Sequence, residues 1–140
     1  MYDERIVEGW ITDRGEADWG PVERLLPLHL CRGFMYMHLV ELDDKSVVHA
    51  YKHGDTRMYV LVDAHGDTWE SLDDDKYRRM RHSDAIEQVF PTSWVLHATE
   101  EDREALKEAL EAAWQRGNGD KAAGAHILPS SPAAALRWLP

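Results

Sequence analysis

The side chains best suited to move protons or hold an anion crowd between positions 36 and 59: Tyr36, His38, His49, Tyr51, His53, Arg57 and Tyr59. Imidazole titrates near neutral pH, so His38 and His53 could serve as proton donor and acceptor. The Arg57 guanidinium could hold a phosphate or carboxylate, with Tyr51 or Tyr59 positioning it. Those groups would be enough for a small metal-independent hydrolase of the phosphodiesterase kind. The same residue types also dominate the energetics of protein interfaces, because aromatic and arginine side chains bury large area with few rotors.

Other chemistries have less support. His49 and His53 lie four residues apart, about 13 Å along a strand, too far to share an ion. His38 with one of them and a carboxylate from Asp55 or Asp63 is the remaining combination, and neither a Cys pair nor a helical His-x-x-x-His accompanies it. Cys31 stands alone, so an intrachain disulfide is excluded, and a free thiol becomes a nucleophile only with a lowered pKa. Neither a phosphate-binding Gly-Lys-Ser/Thr loop nor a Gly-x-Gly-x-x-Gly turn is present. The sequence calls for no metal and no cofactor.

Charge narrows the partners. Sixteen Lys and Arg face twenty-six Asp and Glu, a net charge of −10. A field of that sign repels phosphate backbones and disfavours nucleic acid. The basic run Lys76-Tyr77-Arg78-Arg79-Met80-Arg81-His82 fits this picture if it is helical, since Asp74–Arg78 and Asp75–Arg79 would then be i,i+4 pairs on a solvated surface. A protein or a small molecule is the expected partner. Met1-Tyr2-Asp3-Glu4-Arg5 lacks the basic and apolar regions of a signal peptide, and no apolar run approaches the eighteen or so residues of a membrane span. The expected compartment is the cytoplasm, with no membrane attachment.

The elements that must position these residues can be read from period and punctuation. At 140 residues the chain suits one domain. Asp18-Trp19-Gly20-Pro21 opens a short helix that Pro27 limits. Phe34–Leu42, Val47–His53, Arg57–Asp63 and Thr68–Leu72 are β-branched and aromatic. They are separated by Asp43-Asp44-Lys45-Ser46, Gly54-Asp55-Thr56 and Ala64-His65-Gly66-Asp67. Connections this short force antiparallel neighbours. Ser83 opens a helix through Ile86, Val89 and Phe90. Thr99 caps another, with acidic residues in its first turn and Leu106, Leu110, Ala113 and Trp114 on one stripe. Ile6–Ile11 or Ser93–Ala98 could add a strand.

The expected fold is therefore α+β: a four-stranded antiparallel β-meander with a short N-terminal helix and C-terminal helices packed on one sheet face. Residues 1–117 form the domain. Residues 118–140 form an arm rich in Gly, Ala, Ser and Pro, whose apolar end, Leu136–Leu139, would dock on the body or join two copies. With turns of four, three and four residues, one face collects Met35, Met37, Leu39, Val48, Ala50, Met58, Val60, Val62 and Trp69 as core. The other collects the seven chemistry-bearing residues with Val40 and Leu61, placing Tyr36 across from His53, His38 from Tyr51, and Tyr51 from Tyr59. With no complete catalytic constellation, the leading expectation is a small acidic non-enzymatic binding or regulatory protein using that face. The hydrolase is its alternative. A face of this composition can also be a second, minor core beneath the chain's own segments.

Overall fold

The computed structural model describes residues 5–12 and 16–120, with side chains through Arg116. Strand β1 (Ile6–Thr12) leads through helices α1 (Gly20–Leu25) and α2 (Leu28–Cys31) into β2 (Phe34–Leu42). Strands β3 (Val47–His53), β4 (Tyr59–Asp63), β5 (Thr68–Leu72) and β6 (Lys76–Met80) follow. Helices α3 (His82–Val89), α4 (Thr92–His97) and α5 (Glu100–Asp120) close the described chain. Each strand is antiparallel to its neighbours, and β1 pairs with β2 on one side and β6 on the other, so the sheet closes into a six-stranded barrel.

The barrel overturns the expected four-stranded meander with helices on one face. The four strands read from the sequence are present, but two more complete the ring. β1 is a full staff of the barrel rather than an edge, with Gly9 across from Leu42 and Val7 across from Tyr77. β6 is the basic run expected to be helical. Asp74 and Asp75 adopt left-handed conformations, with φ of 61° and 58°, and turn the chain. Aspartate tolerates that region better than most residues. The cations of β6 then meet acids across strands rather than along a helix: Arg78 Nε to Glu70 at 2.9 Å, Lys76 Nζ to Glu8 at 3.3 Å, and Arg79 Nη2 to Asp67 at 3.2 Å. Tyr77 between them points inward and is buried. Ser93–Ala98, the other candidate strand, falls largely within α4.

Turn geometry sets the register. Asp43–Lys45 and Ala64–Gly66 are three-residue loops ending in a left-handed residue, Lys45 at φ 77° and Gly66 at φ 86°. This is a common hairpin solution that matches strand twist. The β3–β4 loop takes four residues, Gly54 to Arg57, with Arg57 left-handed at φ 64°. Each loop differs by one residue from the expected length, and each such slip turns side chains to the other face. A bulge between Tyr36 and His38 shifts β2 once more. Tyr36 consequently lies across from Tyr51, His38 from Ala50, and Tyr51 from Val60.

Two cores result. Inside the barrel, Val40, Leu42, Val48, Ala50, Leu61 and Tyr77 pack together. Six strands enclose less space than the eight whose interior side chains just fill. Gly9 answers that limit, since a Cβ there would stand 2.9 Å from each of Leu42, Tyr77 and Val40. Outside the barrel, Phe34, Tyr51, Val60 and Val62 pack under the helices against Val22, Leu30, Ile86, Phe90, Leu106 and Leu110. The α5 stripe read from the sequence supplies that cover: Leu106, Leu110 and Ala113 are buried, and Trp114 is half-buried. Burying each of those leucines is worth about 1.5–3 kcal/mol. Thr99 caps α5: its Oγ1 accepts from Asp102 N–H at 3.1 Å, while its own N–H donates to Asp102 at 3.3 Å. The helix runs through Gly117 to Asp120. The expected arm end, Leu136–Leu139, lies outside the described residues. No helix among the described residues is long and apolar enough to cross a membrane.

Candidate functional site

The barrel divides the seven chemistry-bearing residues between three places. Tyr36, His49, Tyr51 and His53 lie on the helix-covered outside of the sheet. His38 and Tyr59 lie on the pleat that faces the barrel interior, near one end. Arg57 sits in the β3–β4 loop at that same end.

The first group forms a closed polar cluster. Tyr36 Oη lies 2.8 Å from His49 Nδ1, and with the phenol as donor the imidazole keeps its proton on Nε2, 4.0 Å from Asp18 Oδ2. Burial pushes His49 toward its neutral form, against the pull of Asp18 and Asp63. Burial raises the Tyr36 phenol as well, and Asp18 adds to the rise. The Trp19 ring stands 6.2 Å from Tyr36 and 5.6 Å from Tyr51. Tyr51, fully buried, donates its hydroxyl to Asp18 O at 2.6 Å and so ties the entry to α1 onto the barrel. Tyr51→Phe is expected to lose that bond and strand a carbonyl. The cost should be about 1–2 kcal/mol in urea unfolding, with an unchanged dependence on denaturant concentration. An undiminished midpoint would show that water replaces the hydroxyl.

His53 is buried. Its Nδ1 accepts from Asp55 N–H at 3.2 Å and Thr56 N–H at 3.4 Å, which leaves the proton on Nε2. Its ring is walled by Phe34, Phe90 and Trp94, with centroids at 5.0, 5.1 and 5.9 Å. Gly33 lies so close that a Cβ there would meet Nε2 at 2.5 Å. His53 and His38 therefore stand on opposite sides of the sheet, and the Arg57 backbone N–H donates to His53 O at 2.9 Å.

The exposed end of the barrel holds what remains. Lys52 pairs with Met35 on one side and Tyr59 on the other, and its ammonium stands 5.7 Å from the Tyr59 ring. His38 lies 6.2 Å from Tyr59, ring to ring. Next to them in register or sequence, three methionines expected in the core are open to solvent: Met35 at 43%, Met37 at 41% and Met58 at 38% exposure. The bulge frees Met37, and Met35 and Met58 project from strand ends where no neighbour covers them. Sequence reasoning missed this surface because it treated every apolar alternation as core. The available signal was position, since all three residues fall within two places of a strand end or a bulge.

Elsewhere the chemistry is quiet. Cys31 is buried, with its thiol 3.4 Å from Leu26 O, and burial followed by the charge of Glu23 pushes it up to about 11. Such a thiol is no nucleophile at neutral pH. Among the described residues no three His, Cys, Asp or Glu side chains gather as a metal site would require. A surface concavity of about 590 Å³ between α2 and α5 is lined by Pro27, His29, Ala105, Lys107 and a row of glutamates from Glu100 to Glu111. Its sign suits no anionic substrate. No family model matches the chain, and no curated protein or solved structure does either.

Proposed function

We propose that the chain is a non-enzymatic binding module that engages a protein partner through the exposed end of its barrel, where Met35, Met37 and Met58 adjoin Lys52, Tyr59 and His38. The observation that carries this reading is the exposure of the three methionines. Large apolar side chains grouped at one end of a small domain signify a contact surface more often than scattered single ones do. Methionine suits such a surface, since its unbranched, polarisable side chain re-packs around different partners. Of the Tyr/His/Arg face read from the sequence, His38, Tyr59 and Arg57 belong to this end, while Tyr36, His49, Tyr51 and His53 serve the fold beneath the helices.

Selection of displayed random twelve-residue peptides on the immobilised full chain tests the proposal. Peptides so obtained are expected to bind the Met35→Ser/Met37→Ser/Met58→Ser variant at least tenfold more weakly than the parent. The variant should unfold within about 1.5 kcal/mol of the parent, since changes at exposed positions each cost at most about 0.5 kcal/mol. Peptides that hold the variant within twofold of the parent, or no selected peptides at all, would overturn the assignment of this surface.

A further inference from the structure

We infer that the partner presents an acidic, apolar peptide segment, whose carboxylates meet a cationic rim formed by Arg32, Lys52 and Arg57 around the methionines. The inference rests on the binding surface proposed above and adds the chemistry of its ligand. Arg32 precedes the turn into β2, where Gly54 N–H donates to Gly33 O at 2.9 Å and brings that turn against the β3–β4 loop. Arg57 N–H donates to His53 O at 2.9 Å and holds the loop closed. Lys52 stands between them on β3, flanked by Met35 and Tyr59. The three cations thus share one end of the barrel with the three exposed methionines.

Elsewhere on this acidic chain the basic side chains of β6 are each matched: Lys76 with Glu8, Arg78 with Glu70, Arg79 with Asp67. Among the described residues no ion pair forms at Arg32, Lys52 or Arg57, as none does at Arg24, Lys45, Lys107 or Arg116, so their charge is open to a ligand. Among the described residues the carboxylates near this end include Asp55, beside Arg57 in the loop, Asp102, whose charge reaches His53, and the Asp73-Asp74-Asp75 turn on the β5–β6 side. The rim thus carries Arg32, Lys52 and Arg57 along β2, β3 and β4, with Asp55 among them. A ligand with apolar anchors and flanking Asp or Glu fits the basic arc, and a basic ligand would meet unmatched like charge there. Nucleic acid would satisfy the three cations but not the apolar ring, and the surrounding field opposes it.

The peptide selection supplies the test. Selected sequences should be enriched in Asp and Glu next to Leu, Ile or Phe, and their affinity should fall as sodium chloride rises from 50 to 500 mM. Neutralising the rim by Arg32→Gln/Lys52→Gln/Arg57→Gly should weaken them at least tenfold and flatten the salt dependence. Arg57→Gly alone guards against loss of folding, because glycine suits the left-handed φ of that position. It should keep the parent's thermal midpoint and still weaken binding severalfold. Peptides that need the methionines yet lack acidic enrichment and bind the neutralised variant within twofold would overturn the cationic-rim inference while leaving the surface in place. Peptides indifferent to the methionines would remove the surface itself. A single-stranded oligonucleotide bound more tightly than any peptide, and released by the neutralised variant, would overturn the assignment to a protein segment.

Discussion

Gly9→Ala is expected to cost about 1–3 kcal/mol of stability, and Gly9→Val to leave little folded protein at physiological temperature. A Cβ at this position enters a space already occupied by Leu42, Tyr77 and Val40, each 2.9 Å away. None of the three can yield easily. Val40 and Leu42 are locked into β2, and Tyr77 is the one large ring of β6 that points inward. At roughly 3–5 °C per kcal/mol for a domain of this size, the alanine change should be plain in a thermal melt. The experiment also discriminates between topologies. In an open sheet with β1 at its edge, replacing a mid-strand glycine would relieve backbone entropy and raise stability by about 0.5–1 kcal/mol. A rise on Gly9→Ala would therefore refute closure of the barrel between β1 and β6.

Closure was the part of the fold that the sequence concealed. The strands from Phe34 to Leu72 declare themselves because alternation and turn residues agree. β1 carries only Ile6, Val7, Trp10 and Ile11 around an inward glycine, and a glycine contributes nothing to a periodicity count. β6 was hidden by its charges, since Asp74–Arg78 and Asp75–Arg79 have the spacing of helical pairs. Only the cross-strand acids Glu8, Glu70 and Asp67, distant in sequence, satisfy them as a strand. α5 was legible because capping, first-turn acids and the Leu106–Leu110 stripe all agree.

The candidate site was less legible for a reason particular to sheets. Register depends on loop length, and Lys45, Gly66 and Arg57 each take a left-handed conformation that changes the count by one. Nothing in a lysine or an arginine announces this. Each one-residue error exchanges the faces, so Met35 and Met58 moved from interior to rim while Leu61 and Val40 moved inward. The bulge at Met37 then separated His38 from Tyr36, which a strict period of two would keep together. Backbone geometry, which residue types do not announce, decided which side chains of this region meet solvent.

Acidification should destabilise the protein from just below neutral pH. His49, His53 and His82 are each held toward the neutral form, burial being the leading cause in all three. Around His49 stand Tyr36, Asp18 and Asp63, and the two carboxylates oppose the shift without cancelling it. Asp55 and Asp102 do the same at His53. At His82, Arg116 and Arg79 reinforce burial, while the bond from Nε2 to Gly66 O at 2.9 Å and the charge of Asp67 oppose it. Folded pKa values below the unfolded one mean that the unfolded chain takes up protons first as pH falls. Stability is then complete above the ordinary histidine value of about 6.5 and declines below it, until the folded histidines protonate in turn. With three sites, the limiting slope is about 4 kcal/mol per pH unit. Burial raises Asp84 and Glu87 as well, which acts in the opposite sense, but in the more acidic carboxylate range. Thermal midpoints measured from pH 8 to pH 5 should be level above pH 7 and fall steadily below it. His53→Gln, which removes one of the three sites, should lower the midpoint at pH 8 and make the decline shallower. A midpoint that stays level to pH 5 would show that these histidines protonate without leaving their sites, and that burial does not hold them neutral.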